Sequence, residues 1–452
     1  MISQFLEAHR SSKAKILVIG DCMIDEYHTV NVNRISPEIP DAIISSPTMK
    51  CTRLPGGAAN VCYQLRNFPN LEVHLASIMS PADHTFFQNC GIKVHGTVMD
   101  NVQIPVKKRF VADGFQIKRW DIESPKFGLS DSDFDACYNQ FINSLHTYKD
   151  FDVVVFSDYN KGMFPDNAIP KLFQNTITIV DPKKAPLNKW FGCSVIKANA
   201  KESVELTGKT DVTQQLMEIK KQTNCKTVIT TLGSEGYIGL HESYIFKSPP
   251  IEKVQVESVI GAGDCFIAIL ASSMAMGFKI EDAAQIACKA GSIYVQKRLN
   301  RPIVPAELIE NKIVNANDLK IRDFTLAFTN GCFDILHVGH LETLKWAATQ
   351  ADKLVVALNS DESVRKLKGE GRPVIPLDQR LQMISALECV DFVVSFEEET
   401  PIEVIKMCKP DVVCKGKDYS DKTVVGSDIT KTSCAPTFVN GVSTTSIISS
   451  IK

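Results

Sequence analysis

The chain has 452 residues, with Lys+Arg 50 set against Asp+Glu 52 for a formal net charge of -2. That length exceeds what one core usually organises and predicts two domains or more. The balanced charge excludes a global field that would gather nucleic acid or an anionic membrane. No apolar run approaches the ~20 residues needed to span a bilayer, and residues 1–13 lack the basic-then-apolar layout of a signal peptide. The 14 cysteines include no Cys-x-x-Cys pair and sit mostly in apolar stretches, among them Cys62, Cys193, Cys265, Cys288 and Cys414. This pattern predicts a reducing cytoplasm rather than a disulfide framework or a zinc site.

In chain order, the first predicted strand is 15–20, and further short apolar strands follow at 153–156, 177–180, 195–197 and 227–230. Helical stretches lie between them, with a long one over about 263–276. Short continuous apolar strands alternating with helices predict a mostly parallel sheet covered on both faces. Residues 27–50 and 94–122 alternate instead with a period of two between turns, and predict a small antiparallel lid. Lys107 and Arg109 alternate on a lid strand and share a face, with Arg119 on the next strand. They are either a solvated lid edge or a clamp on a substrate phosphate. Asp158 and Lys161, in Ser157-Asp158-Tyr159-Asn160-Lys161-Gly162, follow a strand's carboxyl end, where open α/β sheets place ligands.

Ile260-Gly261-Ala262-Gly263-Asp264 opens the long helix. Small residues let the amides close around an anion there, and a carboxylate at that place can take a proton from an attacking sugar hydroxyl. Pro55-Gly56-Gly57-Ala58-Ala59-Asn60 opens another helix, and Asn199-Ala200-Lys201-Glu202 follows a strand. Together with Gly20-Asp21 through Asp25 and Thr231-Leu232-Gly233-Ser234-Glu235-Gly236, these motifs resemble the ribokinase-like carbohydrate kinases over about 12–305. The resemblance implies Asp264 as catalytic base and the amides of Gly261, Ala262 and Gly263 as an anion hole. It further implies Asp25, Gly56, Gly57 and Asn60 on the sugar, Asn199 and Glu202 organising Mg2+ indirectly, and Thr231 and Gly233 near ATP. Where that family reads Asp-x-(Thr/Ser) before the anion hole, this chain has Ser258-Val259-Ile260, and Cys265 replaces a common Thr. The missing acidic and hydroxyl groups predict weaker cation handling and slow or lost kinase activity.

Residues 299–323, with Arg301-Pro302, Pro305 and a polar stretch at 311–318, predict a domain edge followed by a linker over 311–322. The expected domains are thus 1–310 and 323–452. The second α/β pattern has strands at 324–328, 353–358, 392–394 and 411–414. After its first strand comes Thr329-Asn330-Gly331-Cys332-Phe333-Asp334-Ile335-Leu336-His337-Val338-Gly339-His340. A strand–turn–helix aims backbone amides and a helix dipole at one spot, which suits phosphate. His337 and His340 lie three apart, so one helical turn puts both on one face, where they can stabilise charge on an α-phosphate under attack.

This string resembles the nucleotidyltransferase superfamily's (T/N)-G-x-F-D-x-x-H-x-G-H signature. The resemblance implies a Rossmann-like fold in which Thr329, Asn330, Gly331 and Phe333 border the nucleotide and Asp334 and Lys415 border the substrate. Lys368 and Arg372 are surface charges or nucleotide contacts, and Ser443-Thr444-Thr445 is a helix cap or a phosphate grip opposite the histidines. A kinase-like half followed by this half, with Arg34-Ile35-Ser36-Pro37-Glu38, Asn359-Ser360-Asp361 and Val394-Ser395-Phe396-Glu397-Glu398, resembles the bifunctional heptose 7-phosphate kinase / heptose 1-phosphate adenylyltransferases. That resemblance implies a cytoplasmic enzyme of ADP-heptose synthesis using ATP, Mg2+ and sugar phosphates, with a homodimer expected from its lid. The alternative is an active nucleotidyltransferase on another sugar or polyol phosphate, using CTP or ATP, joined to a catalytically silent sugar-phosphate-binding half.

Overall fold

The computed structural model describes residues 1–35, 42–112, 115–148, 150–165, 168–249, 254–297, 301–309, 312–322, 324–417 and 423–435. The chain forms two compact units, residues 3–303 and 304–452. Both are α/β, and no helix is long and apolar enough to cross a membrane among the described residues.

The strands of the first unit are β1 (Ala14–Gly20), β2 (Cys22–Ile35), β3 (Ala42–Gly57), β4 (Leu71–Met79), β5 (Lys93–Val98), β6 (Val106–Ala112) and β7 (Phe115–Ile122). They continue with β8 (Val153–Asp158), β9 (Ile177–Pro182), β10 (Val195–Asn199), β11 (Thr227–Thr231), β12 (Tyr237–His241) and β13 (Tyr244–Lys247). Nine make one sheet in the order β13-β12-β11-β10-β9-β8-β1-β4-β5, parallel from β11 to β5. Val153 to Asp158 is buried throughout because helices cover both faces, which explains a strand without polar alternation. The order reverses between β1 and β8, so their carboxyl ends, Gly20 and Ser157, flank a switch point where a ligand crevice opens. The helices Ala58–Leu65 and Ala262–Ala275 run close together beside this crevice, and every residue of the first is buried.

The lid is a separate sheet, β3-β2-β6-β7. Its β2/β6 pair is parallel, the others antiparallel. It starts at Cys22, before the expected 27, and Lys93–Val98, expected in the lid, pairs with β4 at the edge of the main sheet instead. Val94 and Val98 share the face that reads as lid, but Gly96 between them permits a close approach there: a Cβ on it would stand 2.1 Å from the Ser77 carbonyl oxygen.

The second unit has β14 (Leu326–Gly331), β15 (Lys353–Asn359), β16 (Phe392–Phe396), β17 (Val412–Lys415) and β18 (Lys431–Cys434), ordered β16-β15-β14-β17-β18 and parallel throughout. Its switch point lies between β14 and β17. The described residues 312–322 of the expected linker, like 304–309 before them, are packed into the second unit. Val304, Ala306, Ala316 and Leu319 are buried in the same core as Phe328, Val355 and Val413, and Ile313 bridges to Val393. The small and aliphatic residues among them fill the sheet face between the prolines and polar residues that made the segment resemble a linker.

Candidate functional sites

Asp264 stands at the start of the helix Ala262–Ala275, buried, with both carboxylate oxygens held. Tyr159 donates its hydroxyl to Oδ1 at 2.6 Å and Asn60 donates Nδ2 to Oδ2 at 2.8 Å. Burial pushes the carboxyl up, while these two donors and the charges of Lys197 and Lys183 pull it down, and it remains above the ordinary carboxylate range. Gly261 adopts φ +79, and a Cβ on it would stand 2.5 Å from the Tyr294 hydroxyl and 2.9 Å from Asn60 Nδ2. A Cβ on Gly263 would stand 2.9 Å from Lys197 Nζ. The positive φ at Gly261 is one that glycine adopts without strain, and Ala262 after it is the first helical residue.

The lid brings Asp25, Lys107 and Arg109 to the same region. Arg109 Nη1 donates to Asp25 Oδ1 at 2.6 Å, and both side chains are almost fully buried. Gly56 lies against Asp25: a Cβ there would be 2.9 Å from Oδ2. Gly57, at φ +58, starts the Asn60 helix, and its Cβ would strike the Asp21 carbonyl at 2.4 Å. Lys107 Nζ sits 5.3 Å from the centre of the Tyr159 ring, and burial lowers its pKa against the pull of Asp25. Arg119 pairs across from Arg109 but spends its guanidinium on Asp121, at 2.6 Å from Nε.

Asn199 and Glu202 form a reciprocal helix cap, with Glu202 N donating to Asn199 Oδ1 at 2.9 Å and Asn199 N to Glu202 Oε2 at 2.8 Å. Glu202 also receives Lys183 Nζ. Burial pushes Glu202 up, but Lys197 and Lys183 together hold it below the usual range, while burial lifts neighbouring Asp181 to about 6. Thr231 pairs with Asn199 across β10 and β11, and Gly233 turns at φ +63 just beyond. Asp158 is committed elsewhere, to Lys189 Nζ at 2.7 Å and the Asn160 amide at 2.8 Å. Lys161 donates to Glu123 at 2.6 Å in a cleft of about 490 Å³ shared with Asp158.

In the second unit a cleft of about 500 Å³ opens at the carboxyl ends of β14, β15 and β17. Thr329, Asn330, Gly331, Phe333, His340, Lys368, Arg372 and Lys415 line it. His337 caps the helix Val338–Ala348, and its ring stacks on His340 with centroids 3.8 Å apart. Phe333, held at φ +47, packs its ring 5.2 Å from His340. Burial first and His337 second push His340 down to about 4, and burial lowers His337. Both Nδ1 atoms are buried without a hydrogen-bond partner among the described residues. Two neutral imidazoles with unspent polar atoms beside a polar cleft are suited to a ligand rich in oxygen acceptors. Lys415 Nζ donates to Asn330 Oδ1 across the switch point. Asp334 is not open to a substrate: Arg372 pairs with it, and the amides of Val374 and Ile375 donate to it at 2.7 and 2.9 Å. Ser443, Thr444 and Thr445 lie outside the described residues, as do Ser36, Pro37 and Glu38.

The model of the pfkB family carbohydrate kinases matches residues 171–307, and the cytidylyltransferase-like model matches 328–448. A Campylobacter jejuni subsp. doylei protein named bifunctional protein HldE is 36% identical over 469 residues, covering 99% of each chain. The chain belongs to the HldE family. Further HldE proteins from Nitratiruptor sp. and Helicobacter hepaticus are 34% and 33% identical, over 97% and 98% of this chain and 99% and 97% of theirs. This HldE-family chain thus joins a carbohydrate kinase to a cytidylyltransferase-like nucleotidyltransferase. The kinase fold is that of phosphofructokinase-2 from Escherichia coli in complex with potassium (TM-score 0.53, 16% identity, 66% of this chain and 96% of that one). Arabidopsis thaliana ribokinase complexed with ribose and ATP shares it (TM-score 0.50, 18% identity, 66% and 97%).

Three contributors escape a reading of sequence alone. Tyr159 reaches Asp264 across 105 positions, and only its place at a strand's carboxyl end hints at a role. Asp21 accepts the amides of Tyr159, Lys161 and Met163 at 2.8, 3.1 and 3.1 Å and so shapes the loop that carries Tyr159. Arg380, fully buried, ties Cys332 O, Asp361 and Ile375 O together beneath the transferase cleft.

Proposed function

We propose that the first unit phosphorylates O1 of heptose 7-phosphate with ATP, and that the second joins heptose 1-phosphate to AMP from ATP, giving ADP-heptose and pyrophosphate. A separate phosphatase acts between the two steps, removing the 7-phosphate. The observation that carries the reading is a match to HldE proteins over 99% of both chains, with a held carboxylate in one unit and a stacked histidine pair in the other.

In the kinase, Asp264 takes the O1 proton as O1 bonds to the γ-phosphorus, and ADP departs with the electrons of the broken P–O bond. A carboxyl raised by burial is a better proton acceptor than an exposed one. The Gly261–Gly263 amides face the charge on the transferred group. Lys107 and Arg109 take the substrate's 7-phosphate, Arg109 exchanging part of its contact with Asp25 as Asp25 turns to a sugar hydroxyl. In this reading Arg119, Asp158 and Lys161 act at most through their neighbours. Magnesium, when bound, neutralises phosphate charge. Glu202 is engaged by Lys183 and the Asn199 amide, so these residues fit a cation held through water rather than a direct ligand.

In the transferase, the sugar phosphate already carries a nucleophilic oxygen, so no strong base is required. Its oxygen bonds to the α-phosphorus and pyrophosphate leaves, while His337 and His340 donate to the triphosphate and Lys415 and Lys368 meet its charge. Arg372, fixed by Asp334, borders the nucleotide, and Asp334 serves the site by holding that loop. The reading includes a cytoplasmic homodimer formed through the lid. Edge strand β7 is exposed along its length, with Phe115 77% and Trp120 61% exposed. A monomer by light scattering removes that part.

The test supplies purified chain with Mg2+, ATP and heptose 7-phosphate, with and without a phosphatase for the 7-position, and follows products by mass. Bisphosphate alone without phosphatase, and ADP-heptose only with it, is the expected result. If no bisphosphate forms while added heptose 1-phosphate still yields ADP-heptose, the kinase half is silent. Ser258, whose Oγ accepts the Ile260 amide at 3.2 Å, is the residue that would account for that outcome.

A further inference from the structure

The lid has two faces with different chemistry. Asp25 and Tyr27 on β2 and Arg109 on β6 meet on one face, as the ion pair and the guanidinium 5.3 Å from the Tyr27 ring show. Glu26 and His28 alternate with them and therefore point to the other face. Directly across the ladder from Glu26 are Arg53 and Lys108, and across from His28 are Cys51 and Phe110. Glu26, His28 and Cys51 bring one carboxylate oxygen, one ring nitrogen and one sulfur within 4.8 Å of one another.

A single atom, His28 Nε2, sits at the middle of this group, 3.2 Å from Glu26 Oε2 and 3.9 Å from Cys51 Sγ. One ring nitrogen makes one good hydrogen bond, and the contact of His28 Nε2 with the Cys51 thiol, at 3.9 Å, is the long one of the two. A cation between the three donors would engage all of them at once. For tetrahedral zinc with ordinary bond lengths, neighbouring donor atoms stand about 3.4 Å (N to O) and about 3.5 Å (S to N) apart. The nitrogen–oxygen separation of 3.2 Å is close to the first value, and the nitrogen–sulfur separation of 3.9 Å needs the exposed Cys51 side chain to turn inward by a few tenths of an ångström. His28 is nine-tenths buried and its ring is stacked on Phe110, centroids 5.3 Å apart, which fixes the direction of Nε2. Arg53 Nε holds the other carboxylate oxygen of Glu26 at 3.2 Å, the kind of outer contact that orients a ligating carboxylate. Lys108 Nζ, 3.8 Å from Oε2, is the competitor that a metal would displace.

We infer that Glu26, His28 and Cys51 form a site for a borderline-soft divalent cation such as zinc, on the face of the lid turned away from Asp25. The mixed carboxylate–imidazole–thiolate set suits zinc rather than magnesium or calcium, and three protein donors leave a fourth position for water. Binding replaces the S–H bond of Cys51 by a metal–sulfur bond, with the proton released to solvent. The metal would pin β2 to β3 at the His28–Cys51 pair, behind the strand that carries Asp25. The linear spacing hides the site, because Cys51 lies 23 positions from His28 and only the β2/β3 register joins them.

The test uses the full chain, reduced and chelator-stripped, then loaded with zinc or cobalt(II), one equivalent at a time. Wild type is expected to retain one zinc through desalting and to show a thiolate-to-cobalt charge-transfer band, with a zinc-dependent rise in Tm. Cys51→Ser should abolish the band, and Glu26→Gln should weaken zinc binding at least about ten-fold. Cys51 is exposed, so its serine variant retains the fold, which circular dichroism checks. No retained zinc in wild type overturns the proposal. So does a band unchanged in Cys51→Ser, which would place the metal on another cysteine.

Discussion

Removing one oxygen atom, in Tyr159→Phe, tests how Asp264, the proposed kinase base, is tuned. The tyrosine hydroxyl lies 2.6 Å from Asp264 Oδ1 and acts as a donor, because burial and the Asp264 charge hold its own pKa well above the ordinary value. A hydrogen bond to a charged group contributes about 1.5–3 kcal/mol. At 1.36 kcal/mol per pKa unit, losing it raises the carboxyl by about one to two pH units. Asn60 remains on Oδ2, so the base stays in position. Phenylalanine also keeps the ring against which Lys107 and Lys183 lie, at 5.3 and 5.0 Å. The acid limb of kcat/KM for bisphosphate formation should therefore move to higher pH by that amount, and the rate should recover toward wild type on the alkaline side. Adenylyl transfer, measured on the same preparation from heptose 1-phosphate, should not change. An acid limb that stays where it was, with a uniformly lower plateau, would refute the argument and reduce Tyr159 to packing.

Gly261→Ala should abolish bisphosphate formation while sparing adenylyl transfer, because its Cβ would meet the Tyr294 hydroxyl at 2.5 Å in a backbone at φ +79; the two product assays separate these outcomes. His337→Ala and His340→Ala should each lower kcat of adenylyl transfer by about 10²–10³ with a smaller change in KM, and normal turnover in both would end their assignment as donors. Arg380→Met should destabilise the second unit by about 1–3 kcal/mol in urea unfolding, since it leaves the Cys332 and Ile375 carbonyls without their shared donor while half-exposed Asp361 turns to water. His340 also sets a pH sign. Its folded value of about 4 lies below the ordinary 6.5, so between those values the unfolded chain takes up a proton that the folded chain refuses. Stability of the second unit should fall as pH drops from 6.5 toward 4, and His340→Ala should flatten that slope in urea midpoints.

The two α/β patterns were legible because strands buried on both faces, such as Val153–Asp158 and Lys353–Asn359, leave continuous apolar runs between turn residues. The packing of residues 304–309 and 312–322 was not legible. Its core contacts, Ala316 and Leu319 among them, sit between prolines and polar residues, and local composition carries no trace of a partner across the sheet. The candidate sites divide in the same way. Gly261, Gly263 and Asp264 show in sequence because a helix start, its amides and its first acidic residue are neighbours along the chain. Asp334 misleads for the opposite reason: it sits inside the signature string, yet its carboxylate is consumed by Arg372, Val374 and Ile375, about forty positions on. A motif fixes which residues stand at a strand's end, whereas tertiary hydrogen bonding decides which of them keep a free lone pair. Asn199 and Glu202 show the intermediate case, a helix cap whose own needs are already met and whose remaining field acts through Lys183. The candidate base Asp264 is thus held by neighbours distant in sequence, Tyr159 and Asn60, whereas His340 is held by Phe333 and His337 from its own signature string. Substitutions at those neighbours should shift pH profiles and kcat before they disturb the fold.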